Sequence, residues 1–182
     1  MLNIKYLTTG PGEINNDEDL KEFYKEISIL GEYAEEKNVY ICLETCGSFF
    51  NSGKTASKII KKINMKNIRI NYDTLNVIRE SGGLPEEDIK YVLPFLEHIH
   101  LKDTTDSSEI KLGYSGIVKM QSNSSAIGKG IVNFEKFFSI LEDFEGPMSI
   151  ELEFSNKETQ KLENVVLMLK ESYNFLRNLG VL

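Results

Sequence analysis

His98-Ile99-His100-Leu101-Lys102-Asp103 decides how this chain is read. Alternation along an extended segment puts His98, His100 and Lys102 on one face and Ile99 and Leu101 on the other. Both histidines of the chain lie in this stretch, so any imidazole chemistry starts here. Three other segments repeat the design. Ile41-Cys42-Leu43-Glu44, Ile68–Asp73 and Ser149-Ile150-Glu151 each read as a strand that ends in an acid. An imidazole and three carboxylates, each at the carboxyl end of its own strand, make a plausible site for a divalent metal.

Working outward, helical patterns alternate with extended ones. Residues 4–8 are extended and are broken by Gly10-Pro11-Gly12. Asp17 can cap a helix whose inward residues are Leu20, Phe23, Tyr24, Ile27, Leu30 and Ala34. A strand follows at 39–45, then a helix marked by Ala56, Ile59, Ile60 and Ile63. Pro85 suits the first turn of a helix running through Val92 and Leu93. Residues 104–125, rich in Ser, Thr, Asn and Gly, read as a long loop, of the kind that is either functional or disordered. Asn133 can cap a helix with Phe134, Phe137, Phe138 and Leu141 inward. After a last strand at 148–154, a long helix is expected to bury Leu162, Val165, Val166, Leu169, Tyr173 and Leu176. This order implies an α/β fold with a parallel sheet and right-handed crossovers. Parallel strands are normally covered on both faces, so charges within them need a reason. Their place at strand carboxyl ends matches where α/β active sites form.

With 182 residues, 41% hydrophobic and 27% charged, the chain can build one cored domain, which excludes global disorder. A formal charge of -7 opposes non-specific binding to nucleic acid. No apolar run is long enough to span a membrane. Met1-Leu2-Asn3-Ile4-Lys5 runs into a strand without a secretory pattern, so a cytoplasmic location is expected. Cys42 and Cys46 flank Glu44 on an extended segment, too far apart for a disulfide and without partners for structural zinc. They read as small buried residues in a reducing compartment. Gly47 to Thr55 looks like a phosphate loop but has five residues between its glycines where the motif needs four. A Gly-Lys-Thr at a helix start can still take one phosphate of a substrate.

Five stretches together carry a family resemblance. They are Cys42-Leu43-Glu44, Asn71-Tyr72-Asp73-Thr74, His98 to Asp103, Ile127-Gly128-Lys129-Gly130-Ile131-Val132-Asn133-Phe134, and Gly146-Pro147-Met148-Ser149-Ile150-Glu151-Leu152-Glu153. In this order they resemble the xylose-isomerase-like TIM barrels. That group includes sugar isomerases and epimerases, hydroxypyruvate isomerase, inosose dehydratase and apurinic-site endonucleases. The resemblance implies one divalent metal held by Glu44, Asp73, His100 and Glu151, with Glu44 and Glu151 also serving as acid and base. It implies an isomerase or epimerase acting on a small sugar, sugar phosphate or keto-acid through an enediolate, with a related dehydratase or a non-catalytic metal- or metabolite-binding barrel as alternatives. Three carboxylates with one imidazole lean the choice towards a harder ion such as manganese, with magnesium, cobalt and zinc as the alternatives. An endonuclease fits poorly, since those enzymes use several histidines, and neither nucleic acid nor membrane is an expected partner.

Asn76 stands where relatives often place a substrate-contacting histidine. His98 is a satisfied core histidine first and a substrate contact second. Lys102 either contacts substrate or pairs with Glu151 or Glu153, and Glu153 can support the ligands from behind. A full barrel needs about 250 residues. The expected fold is therefore a partial barrel of about five parallel strands, a single domain matching the carboxyl-terminal part of the family's barrel and lacking its first three βα units. Its two open edges call for a second copy or a partner that supplies the missing strands.

Overall fold

In the computed structural model, residues 4–105, 123–154 and 161–182 are described. Most of the expected 104–125 loop therefore lies outside the described residues. Five parallel strands pair in sequence order: β1 (Tyr6–Thr9), β2 (Tyr40–Glu44), β3 (Ile68–Asp73), β4 (Leu96–Leu101) and β5 (Met148–Ile150). The sheet curls into a half-barrel with helices on its outside. The helices are α1 (Asp17–Glu36), α2 (Gly53–Ile63), α3 (Thr74–Ser81), α4 (Pro85–Asp88), α5 (Phe134–Ser139) and α6 (Leu162–Asn178).

The sheet has two chemically opposite faces, and the register shows how. Leu43 aligns with Ile70, Ile70 with Leu96, Tyr72 with Ile99, and Leu101 with Ile150. These side chains join Ile27, Ala34, Ile60 and Phe137 from the helices in one core. On the other face Glu44 aligns with Asn71, Asn71 with His98, Asp73 with His100, and His100 with Ser149. Parallel strands covered on both sides are usually apolar throughout. Here period-two alternation survives in β2, β3 and β4, and the concave face is polar.

Local chemistry fixes the helix ends. Asn16, one residue before the expected cap, accepts the backbone N–H groups of Glu18 and Asp19. Ser52 and Thr55 form a capping box on α2. Asp73 closes β3 and caps α3 with its own side chain. Asn133 caps α5 as expected.

Three elements differ from the sequence reading. The helix expected from Pro85 through Val92 and Leu93 is one α turn followed by two 3-10 turns, Ile89–Tyr91 and Leu93–Phe95. Pro94 lacks the N–H that a continuing helix would need. The last strand is three residues long, although the Glu151 N–H still donates to the Leu101 carbonyl. The long helix buries only Ser172 and Leu176; Leu162 is 77% exposed and Tyr173 51%. It follows β5, the edge strand, so among the described residues no further strand underlies its apolar stripe. Leu30, expected inward on α1, is likewise exposed.

Both cysteines are free thiols, and burial pushes each up to about 12. Among the described residues no helix is long and apolar enough to cross a membrane.

Candidate metal centre

Glu44 ends β2, Asp73 ends β3, His100 is the penultimate residue of β4, and Glu151 follows β5. The fold brings all four together: one ligand atom from each lies within 4.8 Å of the others. His100 Nδ1 is 2.7 Å from Glu151 Oε2, 3.6 Å from Glu44 Oε1 and 3.8 Å from Asp73 Oδ2.

Three of the ligands have defined support around them. Asp73 is fully buried and divides its carboxylate: Oδ1 accepts the N–H groups of Leu75 and Asn76 at 2.9 and 2.8 Å, while Oδ2 faces the cluster. Its own N–H donates to Thr45 Oγ1. Glu44 Oε1 accepts from Asn76 Nδ2 at 2.9 Å. Lys102 Nζ lies 3.1 Å from Glu151 Oε1. Three facing atoms, Asp73 Oδ2, His100 Nδ1 and Glu151 Oε2, are buried and make no aligned hydrogen bond, although Lys102 Nζ lies 3.0 Å from the first and the other two are 2.7 Å apart. They are close without being aligned to one another. Buried polar atoms are normally satisfied, and a cation between these three would satisfy all of them at once. The donor set, three carboxylate oxygens and one imidazole nitrogen, suits a hard or borderline divalent ion.

Lys102 is 2% exposed, and its Nζ also lies 3.0 Å from Asp73 Oδ2 and 3.0 Å from Glu153 Oε1. Arg79 holds the other oxygen of Glu153 at 3.0 Å. Lys102 is thus paired with Glu151 and Glu153. Asn76 is bonded to Glu44. His98 is the buried, satisfied residue expected: Nδ1 is 2.8 Å from Asn71 Oδ1, Nε2 is 3.1 Å from Ser149 Oγ, and its ring stands edge-on to His100 at 5.2 Å. Burial, then the neighbouring His100 charge, lowers its pKa.

The ion pairs shift the ligands strongly. Burial works against an imidazolium at His100, but contact with Glu151 and Glu44 outweighs it and holds the group at about 9. Contact with His100, opposed by burial and helped by Lys102, draws Glu151 down to about 2. Burial raises Asp73 to about 7 against the pull of Lys102 and the Asn76 N–H. Without metal, a proton on His100 supplies a second cation beside Lys102.

The Gly-Lys-Thr helix start and the Gly128-Lys129-Gly130 turn are both filled from within. The start of α2 is taken by Asp88, which accepts from the N–H of Gly53 and, at 3.4 Å, of Lys54. Asp103 is buried inside the turn that carries Gly128 and Gly130. Its Oδ2 accepts from Gly128 and Gly130 at 3.1 and 2.9 Å, and its Oδ1 from Thr104 and Val132 at 3.0 and 3.2 Å. Sequence reasoning missed Arg79, Asp88 and Asp103. For Asp103, its place at the end of the histidine strand and the Gly-Lys-Gly downstream were the only signals.

A family model described as xylose isomerase-like TIM barrel matches residues 1–179. The 3-dehydroshikimate dehydratase of Bacillus anthracis is 23% identical over 141 residues, 75% of this chain and 50% of that protein. Inosose dehydratase 1 of Bacillus cereus is 29% identical over 135 residues, 68% of this chain and 44% of that protein. The chain spans about half the length of the curated relatives it matches. Among solved structures, a xylose isomerase domain protein from Planctomyces limnophilus superposes with a TM-score of 0.76 at 22% identity, over 97% of this chain and 61% of that one. A xylose isomerase-like TIM barrel protein from Mycobacterium smegmatis in complex with magnesium gives 0.67 at 18% identity, over 93% and 61%. At these identities the structures speak for the fold.

Proposed function

Because the chain belongs to the xylose isomerase-like TIM-barrel family, we propose that it is a metal-dependent isomerase or epimerase of a small sugar or keto-acid. The observation that carries this reading is the convergence of Glu44, Asp73, His100 and Glu151, one ligand atom from each within 4.8 Å of the others. Those four residues would hold one divalent ion, manganese by preference. When bound, such an ion supplies polarisation of adjacent carbonyl and hydroxyl oxygens, which acidifies the neighbouring C–H. Glu44 and Glu151 approach from different strands, so one can remove that proton and the other return one to the enediolate. Asn76 fixes the Glu44 carboxylate for that exchange, Lys102 balances the acids, and His98 keeps the His100 ring in place.

A dehydratase using the same enolate chemistry is the second reading, favoured by relatives that carry that activity in their names. Either enzyme would work in the cytoplasm, and its open sheet edges would meet a second copy or a polypeptide supplying further strands. The test is hydrogen exchange between a panel of ketoses and deuterated water in the presence of manganese. Exchange that Glu151→Gln abolishes while the fold persists supports proton transfer at this residue. Exchange unchanged by Glu151→Gln removes it from the mechanism. Loss of water from the substrate, read as a new conjugated carbonyl absorbance, selects the dehydratase.

A further inference from the structure

We infer that this chain pairs with a second copy of itself through α6, the two helices lying antiparallel about a two-fold axis. Ser172 and Leu176 seat α6 on its own chain. Roughly a quarter turn round the helix, Leu162, Val166, Leu169 and Tyr173 form a second stripe, each residue at least 38% exposed. The stripe borders an open groove of about 580 Å3 that Ile150 of β5 and Lys170 also line. Among the described residues no further strand lies beyond β5 on this side. The water-facing side of a helix is ordinarily polar, and a contiguous apolar patch on a surface marks a contact with another molecule.

The spacing of the stripe selects the partner. From Leu162 the steps are four, three and four residues, the repeat of a helix that packs along another helix. Read backwards the steps are the same, so the stripe is self-complementary, as a two-fold interface between identical chains requires. Antiparallel alignment sets Val166 against the partner's Leu169 and Leu162 against the partner's Tyr173. The charges agree with this direction. Glu163 and Lys170, both exposed, each stand one residue after a leucine of the stripe, on its outer flank. In an antiparallel pair the outer flanks of the two helices run side by side. Glu163 of each copy then meets Lys170 of the other, twice by symmetry, and no like charges are opposed. A parallel pair would instead bring these charges beside residues 165 and 172 of the other copy, and Ser172 is already buried against its own chain. One helix from each copy makes a small interface, of the reversible class that buries roughly 1,200 Å2 or less, so dissociation in the micromolar range is expected.

Sedimentation of the full chain from about 1 to 100 μM tests this, with circular dichroism to confirm that each variant keeps its helices. A monomer–dimer equilibrium is expected for the wild type. Glu163→Lys and Lys170→Glu each turn two attractions into two repulsions and should each weaken the dimer about tenfold. An equimolar mixture of the two variants should regain wild-type association, because opposite charges face one another again in the mixed pair. A wild-type chain that stays monomeric at the highest concentration overturns the inference, as does assembly beyond two copies. A dimer indifferent to both substitutions, or a mixture no tighter than either variant alone, overturns the α6 pairing as well.

Discussion

Asp73 serves two structures with one carboxylate, and its two oxygens can be separated by substitution. Asp73→Asn keeps an oxygen for the α3 N-terminus but removes the charge from the cluster. The expected result is a loss of manganese affinity with little change in melting temperature. Asp73→Ala loses the cap as well, which costs about 1 kcal/mol more; metal titration beside thermal denaturation checks both. The His100 pair sets the pH dependence. Its folded value, about 9, lies above the unperturbed value near 6.5. Its contribution to the metal-free fold is therefore fully present below about 6.5 and is lost as pH rises through about 9. A metal must displace that proton, so affinity rises with pH across the same window and flattens above it. Calorimetric titration in buffers of different ionisation heat should show proton release at pH 7. The three strand-end acids and the histidine strand were legible from alternation and position, while the choice of His100 over His98 came with the resemblance. The roles of Asn76 and Asp103 were not, since their partners lie 32 and 25 to 29 residues away along the chain and meet them only after folding.

At the scale of elements, the turn that encloses Asp103 is tightly built. A methyl group at Gly130 would overlap the Asp103 carboxylate and the Thr104 carbonyl oxygen. Gly130→Ala should therefore cost about 1–3 kcal/mol, as overpacking of a filled site does, and a urea melt of the variant reads it. Asp103→Asn exchanges an acceptor-only carboxylate for an amide that cannot accept at both ends, and should cost about 1.5–3 kcal/mol. Element type and order were legible from periodicity and capping residues. The direction a stripe faces was not: the 3.6-residue repeat of α6 says that one side is apolar, but nothing local says whether the chain supplies a surface to cover it. The broken helix after Pro85 was missed for a different reason, because the helical spacing outweighed the signal of Pro94.

For the whole molecule, the two edges of the sheet are alike. The helix that follows β1, α1, exposes Ile29, Leu30 and Tyr33; the helix that follows β5, α6, exposes Val166, Leu169 and Tyr173. Edge strands with unpaired backbone groups and apolar flanks promote association. Sedimentation at micromolar concentration should show a species larger than one chain, and Leu169→Glu should shift it towards the monomer without loss of helix signal. A compact wild-type monomer would refute this. Strand number and order were readable in the sequence, whereas the closure of the edges depends on surfaces that no residue pattern specifies. The unequal faces of the sheet also have a thermodynamic signature. Heat capacity of unfolding grows with newly wetted apolar area and shrinks with polar area. One face of this sheet is aliphatic and the other is built of acids, amides and imidazoles. A calorimetric scan should give less than the usual roughly 12–15 cal/mol/K per residue. The stability curve would then be shallow and broad, so cooling should weaken this fold less than it weakens a domain with apolar layers on both sides of its sheet.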